Sequence, residues 1–176
     1  MHVILEGALA RNCSRLLHHC IFGRKYFSLN YLNKVITTFK YGDHEKVNSP
    51  RPIDRDRIAN LSDKLGQSGW FVYTVYRGYS NNIIILFITA SQMWLLGRLL
   101  PLMVGDLVPD DDPHWICFVD LLRILCIATA VEITEDAIDV LSMLVESYLY
   151  QYNVLYPNSV THKLHFLLHF PDQIRR

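Results

Sequence analysis

The sequence lacks the cysteine patterns on which several classes of small protein depend. Its four cysteines have neither the paired spacing of a zinc knuckle nor the density of a disulfide framework. They are Cys13, Cys20, Cys117 and Cys126. We therefore expect buried, reduced thiols in a protein of the cytoplasm or nucleus. The opening MHVILEG has no basic start and carries Glu6 in its short apolar run, so it does not predict a signal peptide.

Signatures of nucleotide-binding and hydrolytic enzymes are also missing. Residues 66–69 (GQSG) are too few and too isolated to predict a phosphate-binding loop. No Ser/His/Asp or Cys/His arrangement can be assembled from the sequence. The sequence therefore predicts no catalytic residues, no cofactor and no small-molecule ligand.

Each half of the chain is short of charge of one sign, although the formal net charge is zero. Between Val108 and Tyr156, nine acidic residues face Arg123 as the one basic residue. Before Gly69 the basic residues outnumber the acids. They are Arg11, Arg15, Arg24, Lys25, Lys34, Lys40, Lys46, Arg51, Arg55, Arg57 and Lys64. Two solvated faces of opposite sign account for this pattern, and the alternative is a basic N-terminal third that binds DNA.

Charge is absent altogether from Asn82 to Gly97, inside the most apolar part of the chain. The stretch 83–104 is as long as the roughly 20 apolar residues that a membrane-spanning helix needs. Arg98, however, would cost roughly 2.5–3.5 kcal/mol at a bilayer centre. Residues 90–100 have the pattern of a helix in a water-soluble core, with Met93, Leu96 and Leu100 facing inward. We favour that interpretation, and a small single-pass membrane protein anchored by about 83–104 is the alternative.

Helical periodicity dominates the rest of the sequence. It predicts helices over 2–20 and 161–170, the second ended by Pro171, and helices that begin at Ser28, Asp54 (or Ile53), Asp112 and Thr134. The predicted inward residues include Tyr31, Leu32, Val35, Ile36 and Phe39; Ile58, Leu61 and Leu65; Trp115, Phe118, Leu122 and Leu125; and Ile138, Leu141, Val145, Tyr148, Leu149 and Tyr152. Pro101 and Gly105 are expected to break the helix over 90–100.

The predicted fold class is mainly α: an irregular helical bundle that is an incomplete piece of a larger domain. Three segments follow from the composition. Residues 1–68 form a basic helical segment, residues 69–89 an apolar, insertion-like segment, and residues 90–176 a C-terminal helical segment.

Two groups of residues are candidates for binding a metal ion. His165 and His169 are one helical turn apart, the spacing that two zinc-binding imidazoles need, and His162 lies on a similar face. No Glu stands between them, so the metalloprotease motif is absent. Glu6, four residues after His2, is a further weak candidate. We favour the interpretation that the histidines of 162–169 are half-buried and hydrogen-bonded within the fold.

The acidic run Asp110–Asp112 could in principle hold a divalent cation through oxygen ligands. It lacks the alternating spacing, central Gly and final Glu of an EF-hand loop. We therefore expect this run to cap a helix and to solvate a loop.

Four separated stretches occur in an order that indicates a family. They are MHVILEG (1–7), FSLNYLNKVITTFKYGD (27–43), LGQS (65–68) continued by ASQMWLLGRLLPLMVGDLVPDDDPHW (90–115), and LYPNSVTHKLHFLLHFPDQI (155–174). Together they resemble transposases of eukaryotic DNA transposons, of the CACTA-like and Kyakuja-Dileera-Zisupton kind. In those relatives the third stretch is continuous, so 69–89 is interpreted as an insertion, such as a retained intron. Relatives also extend beyond both ends, which implies a truncated chain.

The resemblance implies a function that this chain does not retain in full. Such transposases resemble enzymes that cut DNA with acidic residues holding two divalent metals on an RNase-H-like fold. That chemistry needs a strand scaffold and at least two well-separated carboxylates. The upstream sheet that would supply the first of these acids is expected to be missing, and only Glu6 lies in a motif-like segment at the remaining edge. The sequence therefore predicts a non-catalytic helical fragment in the nucleus or cytoplasm, with residual DNA binding or membrane anchoring as the alternatives.

Overall fold

The computed structural model describes residues 4–61 and 91–175, apart from Asn158 and Val160. Within these ranges the chain is helical and contains no strand, which confirms the predicted mainly α fold. The insertion-like segment 69–89 and the first part of the 83–104 stretch lie outside the described residues.

The helices follow the chain in a simple order. They are α1 (Ala10–His18), α2 (Leu29–Thr38), α3 (Arg55–Ala59), α4 (Ser91–Val104), α5 (Pro113–Ala128), α6 (Glu135–Leu155), α7 (His162–His165) and α8 (Phe170–Ile174). Two π-helical segments, Ile4–Leu9 and His19–Gly23, extend α1 at both ends. Short 3₁₀ turns lie at Lys46–Asn48, Gly105–Leu107 and Phe166–His169.

One hydrophobic core joins the helices before and after the undescribed segment. Leu16, Leu96, Phe118, Leu141 and Leu164 are all buried in it, and each comes from a different helix. The π-extended first helix runs through the middle, in contact with α3, α4, α5 and α7. Because this helix is covered on several sides, nearly all of α1 is buried, including the polar residues Asn12 and Ser14.

All four predicted helix starts are confirmed by a side-chain cap. Ser28 Oγ accepts a hydrogen bond from the Tyr31 backbone N–H, and Asp54 Oδ1 accepts one from Asp56. Thr134 Oγ1 accepts from Ala137, and Asp112 Oδ1 accepts from His114 and Trp115. Each cap satisfies backbone donors that the first turn of a helix leaves unpaired.

The inward faces agree with prediction for α6 and in part for α2 and α5. Ile138, Leu141, Val145, Tyr148 and Tyr152 are buried, and Leu149 is half-buried. Leu122 is half-buried, because α5 turns Leu121 and Ile124 toward the core instead. Tyr31 was predicted to face inward and is exposed, since Leu32 and Ile36 form the buried stripe of α2. Leu61 is also exposed, because α3 ends at Ala59 before reaching it.

Two prolines were wrongly predicted to end helices. Pro101 lies inside α4, which continues to Val104. A proline inside a helix costs about 3 kcal/mol. Met103 and Val104 lie beyond it and are buried, and burial of each side chain contributes about 1.5–3 kcal/mol, which offsets that cost. Pro171 lies in the first turn of α8, where its missing N–H removes no hydrogen bond.

Helix α4 is the described part of the candidate membrane anchor. Met93, Leu96 and Leu100 are buried in the core as predicted. Arg98 is exposed and forms an ion pair with Glu45. Within residues 4–61 and 91–175, no helix is long and apolar enough to cross a membrane.

Candidate functional site

A buried carboxylate, Asp112, joins the N-terminal segment to the start of α5. Its side chain is almost fully buried and accepts hydrogen bonds through both oxygens. Oδ1 accepts the His114 and Trp115 backbone N–H groups at 2.9 and 3.2 Å. Oδ2 accepts the His19 Nε2–H at 2.8 Å and the Tyr26 hydroxyl at 2.9 Å. One side chain therefore caps a helix and holds two rings from the chain segment after α1.

The second imidazole of this site lies directly against the first. The His19 and His114 rings are stacked, with 3.7 Å between their centroids. His114 Nδ1 is 2.8 Å from the Tyr156 hydroxyl, at the C-terminal end of α6. We name the five side chains the Asp112 cluster: His19, Tyr26, Asp112, His114 and Tyr156. It connects three separated parts of the chain.

The electrostatics of the cluster follow from burial and from its one carboxylate. Burial raises the pKa of Asp112, but hydrogen bonds from His19, Tyr26 and the Trp115 backbone outweigh it and lower that pKa below its usual value. Burial, followed by the neighbouring His19, lowers the pKa of His114. Burial and the hydrogen bond to Asp112 raise the pKa of the Tyr26 phenol. The carboxylate is thus held ionised, while Tyr26 is held protonated.

The thiol nearest to this cluster is not activated as a nucleophile. Burial, with a contribution from the Asp112 charge, raises the pKa of Cys20 to about 12. A nucleophilic cysteine needs the opposite shift, because the thiolate is the reactive form. The His19–Asp112 pair has the geometry that orients an imidazole in catalytic triads. In this protein the pair joins the segment after α1 to the start of α5.

A second buried polar contact lies deeper in the core. Asn12 Nδ2 donates to the Tyr148 hydroxyl at 3.2 Å and lies 3.8 Å from Cys117 Sγ. Burial raises the pKa of Cys117 to about 12 and that of Tyr148 well above its usual value. Both groups are neutral at physiological pH, so Asn12 links α1 to α5 and α6 without a buried charge.

The predicted metal ligands are only partly brought together. The His165 and His169 rings lie 5.2 Å apart between centroids. Both side chains are exposed, which corrects the prediction that they are half-buried. They do not share one α-helix, because α7 ends at His165 and a 3₁₀ turn follows. His162 is exposed, and the Glu6 side chain lies outside the described residues. Among the side chains that are described, no three or more His, Cys, Asp or Glu residues are placed to hold a metal ion.

The acidic run and the cysteines divide into buried and exposed members. Asp110 and Asp111 are exposed, whereas Asp112 is buried in the cluster described above. Cys13, Cys20 and Cys117 are buried and free, as predicted. Cys126 is also free but exposed, which corrects the prediction of four buried thiols. It lies on the side of α5 that faces away from Ile124 and Leu125, which are buried.

The basic N-terminal third is largely on the surface. Its exposed members are Arg24, Lys25, Lys34, Lys40, Lys46, Arg51, Arg55 and Arg57. Arg11 is half-buried, and Lys64 lies outside the described residues. Arg15 is buried, with its guanidinium 6.0 Å from the centroid of the Tyr156 ring. The prediction of a solvated basic face is met by these exposed side chains.

Sequence reasoning found Asp112 as a helix cap but missed the cluster around it. Nothing in the sequence around His19 indicates a partner 93 positions away. An Asp-Pro-His-Trp sequence after a loop predicts a cap and no more. No protein-family model, no curated protein and no solved structure matches this chain.

Proposed function

We propose that this chain is a non-catalytic helical fragment derived from a DNA transposase, placed in the nucleus or cytoplasm. The observation that supports this is spatial: the stretches that resemble transposase segments lie against one another. Helix α2, within 27–43, contacts α4, within 90–115. The π-helical segment Ile4–Leu9 contacts both α4 and α7, and α7 lies within 155–174. Segments of one fold are expected to share one core, so these contacts are what an origin from one transposase predicts.

The absence of catalysis in this proposal rests on how the buried carboxylates are used. Two-metal cleavage of DNA needs carboxylates that converge on cations and are free to bind them. Asp112 already accepts four hydrogen bonds. Asp120, the other buried acid among the described residues, accepts from Arg123 at 2.9 Å and from Gln151 at 3.3 Å. Both are satisfied by the protein itself.

Deleting residues 69–89 tests the proposal. If they are an insertion into a transposase-derived fold, the deleted chain joins LGQS to ASQMW and unfolds cooperatively in urea, with a midpoint at least equal to that of the full chain. A chain with a Gly/Ser linker of equal length in their place is the matched control. Loss of cooperative unfolding in both variants contradicts the proposal. Abundant full-length transcripts with codons 69–89 in frame would also count against an insertion.

The membrane-anchor alternative makes a different prediction. A protein anchored by about 83–104 stays with membranes during carbonate washing and is released by detergent. We expect carbonate to release this chain, because the described part of that stretch packs its apolar side chains against other helices. Retention in the carbonate pellet would favour the anchor.

A second candidate function, residual DNA binding, is favoured by the exposed basic side chains of the N-terminal third. Lys34 on α2 and Lys40 just after it are both exposed. Acids in the same part of the chain are fewer, and Glu45 is already paired with Arg98. Lysine contacts to DNA phosphates release condensed counterions, so affinity falls steeply as salt rises.

Fluorescence anisotropy with a labelled DNA duplex tests this binding. We expect the logarithm of the association constant to fall linearly with the logarithm of NaCl concentration, and K34Q/K40Q to reduce that slope by about two. R123Q is the control in the acidic half, where Arg123 is exposed, and should leave the slope unchanged. Because Arg123 pairs with Asp120, the unfolding midpoint of R123Q is first compared with that of the parent. A slope near zero, or equal effects of the two variants, would remove DNA binding from the proposal.

A further inference from the structure

A cleft of about 520 Å³ lies where the chain turns from the first helix into α2. Its size falls within the roughly 300–1,000 Å³ of typical ligand sites. Phe22 and Phe27 line it with ring surface, and Lys25 and Arg55 line it with positive charge. None of the described residues that line it carries a carboxylate. An anion that also has a flat apolar part would complement such a surface.

One of the two cations, Arg55, is held next to an aromatic ring. The Arg55 guanidinium lies 5.7 Å from the centroid of the Phe22 ring, which fixes its charge beside that ring. Asp54 and Asp56 flank Arg55 in sequence, and the Asp54 carboxylate is used to cap α3. Lys25 is exposed, so its amine is free to reach a ligand from the other side.

The backbone at Lys25 is strained in a way that glycine would relieve. Its φ angle is 58°, in the left-handed region where glycine is favoured. The turn is closed by hydrogen bonds from Arg24 N to His19 O at 2.7 Å and from Tyr26 N to Cys20 O at 2.8 Å. A lysine at this position costs stability and gives the cleft a cation. Residues that keep such strain are concentrated at functional sites.

We propose that this cleft binds an unpaired nucleotide of a DNA strand, with the base against Phe22 and the phosphate between Lys25 and Arg55. Base–aromatic stacking combined with basic side chains is the usual way in which single strands are bound. The Ser28 hydroxyl and the exposed Asn30 amide, both at the cleft, supply further donors for phosphate or sugar oxygens. This inference rests on the proposed DNA binding and assigns it a specific site.

Anisotropy with labelled oligo(dT) of about ten nucleotides tests the cleft. F22L keeps an apolar side chain but removes the ring, and we expect it to weaken binding by about fivefold to a hundredfold. F166L, at an exposed ring on the 3₁₀ turn Phe166–His169, is the matched control and leaves affinity unchanged. R55Q is expected to weaken binding and to reduce the salt slope by about 0.7. K46Q, with the same loss of charge outside the cleft, is expected to have the smaller effect on affinity.

K25G separates binding from folding. Because glycine relieves the backbone strain, we expect this variant to unfold at a higher temperature and yet to bind oligo(dT) more weakly. Higher stability with unchanged binding would overturn the assignment of Lys25 to the ligand. An F22L variant that binds as the parent does would overturn the stacking.

Further outcomes distinguish this inference from the function on which it rests. Duplex binding that needs Lys34 and Lys40, without any effect of the cleft variants on oligo(dT), removes the cleft and keeps DNA binding. Oligo(dT) binding that needs Phe22, without duplex binding, keeps the cleft and removes the duplex surface. Equal affinity for thymidine monophosphate and oligo(dT) would overturn the strand as the ligand. If poly-glutamate displaces oligo(dT) and F22L does not change its affinity, the cleft binds an acidic peptide rather than a nucleotide.

Discussion

Replacing Asp112 with alanine should destabilise this protein more than the same change at any other acidic side chain that the structure describes. The change removes the cap of α5, which costs about 1 kcal/mol on average. It also leaves the His19 Nε2–H and the Tyr26 hydroxyl without their acceptor in a partly buried place. Leaving a buried donor unpaired costs about 1–3 kcal/mol, and the lower end applies here because both donors reach solvent in part. We therefore expect D112A to lower the free energy of unfolding by about 2 kcal/mol.

Two matched variants show whether the hydrogen bonds cause this loss. D112N keeps an oxygen for the cap and should cost clearly less than D112A. D111A changes an exposed neighbour in the same loop and should stay within about 0.5 kcal/mol of the parent. The measurement is urea unfolding followed by far-UV circular dichroism, with m-values compared to check that the transition stays two-state.

A double-mutant cycle identifies the partner that carries most of the effect. Y26F removes the phenol that donates to Asp112 Oδ2. If the contact is real, Y26F destabilises the parent but changes little in the D112A background. Additive losses, or a D112A variant as stable as D111A, would refute the assigned role of the carboxylate.

Two further predictions concern the same core. Because the pKa of His114 is lowered in the fold, the unfolded chain binds more protons, and stability should fall as pH drops from about 7 to about 5. H114Q should flatten this dependence in urea titrations, and an unchanged pH profile would contradict it. G97A should destabilise α4 despite its better helix propensity, because a Cβ there would lie 2.8 and 2.9 Å from the two terminal carbons of buried Leu9. Adding L9A should reverse the sign of the G97A effect in the same assay, and a stabilising G97A in the parent would disprove the close approach.

Local features of this fold were predictable because their causes lie within a few residues. The caps at Ser28, Asp54, Asp112 and Thr134 were all predicted, since a capping oxygen and its partner N–H are two or three positions apart. The buried stripe of α6 was predicted for the same reason, because its period repeats within one helix.

Features that depend on distant partners were not predictable from spacing. Tyr31 and Leu122 have the right period for an inward face, yet Tyr31 is exposed and Leu122 is only half-buried, because the neighbouring helices do not cover the whole predicted stripe. Pro101 was expected to stop α4, and only the burial of Val104 beyond it explains why the helix continues. The helical period of the sequence predicts which residues lie near the buried face, and packing against other helices decides which residues at the edge of that face are buried.

The Asp112 cluster is the clearest case of this limit, and it also shows what the fold gains from it. Beyond the stability that D112A measures, the carboxylate adds direction: its partners, His19 and Tyr26, must approach from one side while the α5 backbone approaches from the other. Apolar contacts between α1 and α5 could slide by a turn, whereas this arrangement fixes one register. A segment before residue 62 and a segment after residue 90 are thereby held as one core, whatever the residues between them contribute.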